Sequence, residues 1–109
     1  MARDTGLEAT MAEDLAGLDD LRMVRMFGGV AWMWRGNLLC GARQDGILWR
    51  LGKGNDGWTR GIAEAAPMVM GARVMEGWVR LSPDGAADHA TRQRFLAAAR
   101  TFVETLPPK

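Results

Sequence analysis

The sequence predicts an α+β fold: a two-layer sandwich of an antiparallel sheet with helices mainly on one face, in the order α-β-β-β-α-β-β-α. Three observations predict it. Apolar residues recur at helical spacing near both ends of the chain. Between those stretches the period changes to two, as in half-buried strands. Turn signals at Gly36-Asn37, Asp45-Gly46 and Gly71-Ala72 divide the alternating stretches at hairpin spacing.

The first helix is expected over Gly6 to Leu18. Leu7, Met11, Leu15 and Leu18 form one stripe, Asp4 or Thr5 can cap it, and Glu8, Glu13 and Asp14 fall off the stripe toward solvent. Met23 to Phe27 reads as the start of a strand broken by Gly28-Gly29. Val30 to Arg35, Leu38 to Arg43 and Ile47 to Leu51 then form a three-strand meander, ended by Gly52-Lys53-Gly54. Asn55 can cap a short second helix that buries Trp58 and Ile62 and stops at Pro67. Met68 to Met70 and Arg73 to Leu81 read as a hairpin, with Gly77 a bulge. Asp88 caps the last helix, whose stripe is Phe95, Leu96, Ala99, Phe102, Val103 and Leu106.

The length, 109 residues, suits one hydrophobic core, so residues 1–109 are expected to be a single domain with residues 1–6 flexible. A net charge of +1 gives no argument for nucleic acid or an acidic partner. The single cysteine, Cys40, makes neither an internal disulfide nor a metal site alone, so the fold needs no oxidising compartment. No apolar run approaches ~18 residues, and the first ten residues lack a signal-like apolar region. The expected location is cytoplasmic, with no membrane contact, cofactor or metal.

The turns also predict a register. With Gly36-Asn37 and Asp45-Gly46 as two-residue loops, Met33 opposes Cys40 and Ala42 opposes Trp49. One face then carries Ala31, Met33, Cys40, Ala42, Ile47, Trp49 and Leu51, an apolar set suited to the core. The other carries Trp32, Trp34, Arg43 and Arg50, with Leu39 and Leu48. Tryptophan and arginine are enriched at binding hot spots, so these four residues make a candidate interaction face for a partner protein or a second copy. Two alternatives stay open. The tryptophans can pack on arginine stems in an uncovered face, and a one-residue slip would exchange the two faces.

Arg25-Met26-Phe27-Gly28-Gly29, Gly36-Asn37, Cys40-Gly41, Arg50, Gly71 to Met75, Gly77-Trp78-Val79 and the closing Phe102 to Lys109 resemble the N-terminal domain of the TfoX/Sxy family. The resemblance covers nearly the whole chain from about Leu7. It implies an α/β sandwich with helices on one side of an antiparallel sheet. Longer members are similar to competence regulators that act with the cyclic-AMP receptor protein at promoters and carry a second, helical domain. This chain ends at Pro107-Pro108-Lys109, where that domain would begin. The family implies no catalytic residues.

The residues themselves suggest no assembled chemistry. His89 stands at the start of the last helix, and Cys40 points inward from a central strand. Asp19-Asp20 and Asp84 with Asp88 suit helix ends and solvent. Gly28-Gly29 lacks a phosphate-loop context and suits a bend needing positive φ or close backbone approach. The expected function is a small non-enzymatic regulatory or adaptor domain acting through protein contacts, with a homodimer as one form. Nucleic-acid binding in support of transcription is the second reading, and a ligand carrier or enzyme is the third.

Overall fold

The computed structural model describes residues 4–26 and 28–109. It is an α+β fold in which helices pack against a six-stranded antiparallel sheet, ordered β1-β2-β3-β4-β6-β5. The chain runs through α1 (Thr5–Asp14), β1 (Leu21–Met26), β2 (Gly29–Trp34), β3 (Asn37–Arg43) and β4 (Gly46–Arg50). A 3₁₀ turn (Gly57–Gly61) follows, then β5 (Ala65–Met70), β6 (Arg73–Leu81), α2 (Pro83–Ala86) and α3 (His89–Val103). No helix among the described residues is long and apolar enough to cross a membrane.

The ends of the chain form as their spacing dictates. Asp4 caps α1 by accepting the Leu7 amide at 3.0 Å, and Asp88 caps α3 by accepting that of Thr91 at 2.9 Å. Thr5 and Gly6 are therefore helical. Met11 of α1 and Leu15 at its C-cap meet Phe95, Ala99 and Val103 from α3 in one cluster with the inward residues of the sheet. Glu8 departs from expectation: it is buried. Asp14 also turns inward, to the Arg92 guanidinium at 2.8 Å.

The sheet has one strand more than expected, because the chain turns at Gly28 and Gly29 opens β2, so the glycine pair is not a break within one strand. Gly28 takes a φ of 75°, and at Gly29 a Cβ would strike the Ala42 carbonyl oxygen. Phe27, between the two strands, lies outside the described residues. Pro67 does not stop a helix. It sits in the edge strand β5, where a missing amide costs the sheet little. Ser82, with Pro83 at the first helical position, opens α2, an element the sequence reading did not separate.

The largest correction is the register of β2. The β2–β3 loop is Arg35-Gly36, whose φ values of 54° and 83° suit the primed turn that hairpin twist requires. Asn37 is thereby freed for β3, where its buried side-chain amide donates to the Pro107 carbonyl at 2.9 Å. The register then shifts between Trp32 and Met33, leaving Leu39 the extra, buried residue of β3. Trp32 consequently opposes Cys40 and enters the core with Trp34, while Met33 pairs with Leu38 on the opposite face. The β3–β4 loop also moves, to Gln44-Asp45, but by an even number of pairings. Cys40, Ala42, Ile47 and Trp49 therefore keep their inward direction.

Candidate docking surface

With α1, α2 and α3 gathered on one side, no helix among the described residues lies over the other face of the sheet. The register sets Ala31, Met33, Leu38, Leu48 and Trp78 on that face. An antiparallel sheet facing water normally alternates apolar-in with polar-out. Here the outward positions of the central strands are largely apolar too.

Of these, Ala31, Leu38, Leu48 and Trp78 floor a trough of about 260 Å³. Four methionines wall it: Met26 from β1, Met68 and Met70 from β5, and Met75 from β6. The β5–β6 hairpin supplies three of them because its register shifts between Pro67 and Met68, with Gly77 at a φ of 84°. Met68 then opposes Met75. The far side of the same hairpin is also apolar: Val69 and Val74 are each 54% exposed.

Arginine frames the trough. Arg43 holds Asp45 through two hydrogen bonds of 2.8 and 2.7 Å, and Arg80 donates to the same carboxylate at 3.0 Å. The Arg43 hydrogen bond, with both guanidinium charges, keeps Asp45 below the usual carboxylate range. Arg80's other contact is the Met68 thioether sulfur at 3.2 Å, a weak acceptor. Burial pulls Arg80 below the ordinary arginine value against the opposing effect of Asp45. Arg50 stands at the end of the sheet with its guanidinium carbon 5.2 Å from the Trp78 ring centre and 5.7 Å from that of Phe102. Desolvation lowers its pKa too.

The structure thus separates the expected interaction face. Arg43 and Arg50 lie on the open side, whereas Trp32 and Trp34 are 2% and 3% exposed beneath the helices. The Trp34 indole donates to the Asp19 carbonyl at 2.9 Å, and the guanidiniums of Arg35 and Arg100 lie over its ring. Among the described residues of the Arg25 to Gly29 motif, Met26 lines the trough; Arg25 is exposed on β1. Sequence reasoning missed Trp78, Arg80 and the methionine wall. Their signal was the spacing by two of Trp78 and Arg80, opposite Arg50 and Leu48, and of Met68 and Met70.

The nucleophile and acid–base candidates of the sequence, Cys40, His89 and the Asp19, Asp20 and Asp88 carboxylates, do not line this trough. Cys40 is fully buried, and desolvation pushes its thiol far above the ordinary range. His89 is exposed in the first turn of α3, with Nδ1 3.3 Å from an Arg92 nitrogen. Asp88 serves as a cap, and the backbone carbonyls of Asp19 and Asp20 accept from Trp34 and Arg35. No three His, Cys, Asp or Glu side chains among the described residues gather as a metal site.

No family model, curated protein or solved structure matches the chain.

Proposed function

We propose that this protein is a small non-enzymatic adaptor or regulatory domain that binds a protein partner through the helix-free face of its sheet. The observation that carries the reading is the methionine-walled trough framed by Arg43, Arg50 and Arg80. Methionine side chains are flexible and polarizable, and groove-forming surfaces use them to adapt to a partner's apolar side chains. The sequestered thiol of Cys40 and the peripheral position of His89 favour binding over catalysis. The resemblance of the Arg25 to Gly29 segment to TfoX/Sxy N-terminal domains is in keeping with a regulatory role in the cytoplasm.

The test compares wild type with Leu48→Glu, which puts a charge on the trough floor at a half-buried position and leaves the core intact. Both proteins are immobilised and challenged with native cell extract, after circular dichroism has shown equal folding. The reading expects one predominant protein that is retained by wild type and lost with Leu48→Glu. It also expects direct binding between the two purified proteins. A captured protein indifferent to Leu48→Glu would place binding elsewhere.

The excess of arginine on this face favours nucleic acid as a second reading. Binding of single- and double-stranded DNA at low and moderate salt separates the two, since phosphate contacts weaken steeply with salt. Nucleobases stack on aromatic rings, and Trp78 is the aromatic side chain among the described residues of the trough, already beneath Arg50. The lining suits aliphatic side chains better.

A further inference from the structure

We infer that the occupant of the trough is an amphipathic helix of a partner protein, carrying an aliphatic stripe flanked by a carboxylate that pairs with Arg80. This rests on the reading of the helix-free face as a docking surface and specifies what docks there.

The argument begins with charge. The register places Arg22, Arg43, Arg50, Arg73 and Arg80 on the open face, and among the described residues Asp45 in the β3–β4 turn is the carboxylate that Arg43 and Arg80 share. The face is strongly positive although the whole chain carries only +1. Arg80 is the most telling member. Its side chain is 20% exposed, its carboxylate partner is already held twice by Arg43, and its remaining contact is a thioether. A half-buried guanidinium sharing one carboxylate with a neighbour has donor capacity left for an incoming anion.

Layer geometry supplies the rest. A sheet with two apolar faces is covered on both, by helices or by another sheet. This chain covers one face with α1 and α3. A second copy packed face to face about a two-fold axis would bring the same arginines together, with little but Asp45 to neutralise them. Its own acidic helix, α1, already buries Met11 in the core and has no apolar stripe to spare. The complement that matches both the aliphatic lining and the positive rim is therefore a helix from another protein, with leucine-like anchors and acidic flanks.

The experiment is selection from a displayed library of peptides of about 18 residues, five helical turns. Stripe and flanking positions are randomised, and the full chain is the target. The inference expects enrichment of aliphatic stripes with Asp or Glu on one flank, and a fluorescence change at Trp78 on binding. It expects about a tenfold loss of affinity on Arg80→Gln and on neutralising the peptide's own carboxylate, the size of one charge-assisted hydrogen bond. The peptide-side change reads the contact without altering the protein, should Arg80→Gln lower Tm. Binders with basic or uncharged flanks, lost on Leu48→Glu but indifferent to Arg80→Gln, would overturn the acidic helix and leave the docking surface standing. Binders indifferent to Leu48→Glu, or no enrichment at all, would overturn both. A wild-type dimer in sedimentation that Leu48→Glu dissociates would assign the face to a second copy and overturn the inference.

Discussion

At Gly29 the backbone of β3 leaves no room for a side chain, since a Cβ would meet the Ala42 carbonyl oxygen. Gly29→Ala must push β2 from β3 or rotate the strand, and overpacking of this kind costs about 1–3 kcal/mol. Chemical denaturation should show that loss with no change in slope. Phe95 marks the opposite limit. It is fully buried, with its ring centre 4.9 Å from Trp58 and 6.3 Å from Trp49. Phe95→Ala should cost about 3–5 kcal/mol, and the half-buried Phe102→Ala should cost less. Acid sensitivity belongs to this scale too. The Asp45 carboxyl is depressed by its Arg43 hydrogen bond, and that of Asp88 by its Thr91 hydrogen bonds. A depressed carboxylate stabilises the folded state above its unfolded pKa, about 3.9, and that stabilisation is lost as pH falls through the lower folded value. Wild-type Tm should therefore fall more steeply below about pH 5 than that of an Asp45→Asn, Asp88→Asn double variant.

Arg92 joins three elements in a way that no single helix accounts for. From α3 it reaches Asp14 at the end of α1 at 2.8 Å and the Ala86 carbonyl of α2 at 2.9 Å. Both charged side chains are about one-tenth exposed, so Arg92→Ala strands a desolvated carboxylate and should cost about 3 kcal/mol. Amide exchange should quicken at the end of α1 before it does in β3. Such long-range pairs explain which elements were legible in the sequence. The caps Asp4 and Asp88, the stripes of α1 and α3 and the inward set of β3 and β4 depend on neighbours a few residues away, and periodicity reveals those. The direction of Trp32 and Trp34 depends on Asn37 meeting Pro107, seventy positions later, and on a bulge at Leu39. Nothing local marks either feature, so the sequence put Trp32, Trp34, Arg43 and Arg50 on one surface, and the fold divides them. Glu8 shows the same limit: its spacing reads as solvated, yet it is buried.

Across the whole molecule, one face of the sheet is filled by the chain's own helices and the other holds a trough of about 260 Å³. The native protein should accordingly enhance the fluorescence of an anionic apolar dye such as anilinonaphthalene sulfonate, and Leu48→Glu should reduce the signal without lowering cooperativity on heating. Such dye binding in a fully folded state would distinguish the trough from the loosened core of an acid state. The choice of methionine for its walls has a chemical consequence. Thioethers take an oxygen atom from hydrogen peroxide to become sulfoxides, which are polar and rigid where the parent was apolar and adaptable. Met70 is 54% exposed and Met26, Met68 and Met75 are half-buried at the trough, whereas Met11 is fully enclosed in the core. Mild peroxide treatment should oxidise the trough methionines, along with the exposed Met23, well before the enclosed Met11, as peptide mapping would record, and abolish dye and partner binding while Tm stays nearly constant. Methionine sulfoxide reductase should restore both, so the same four side chains that shape the surface would make its occupancy sensitive to oxidative stress.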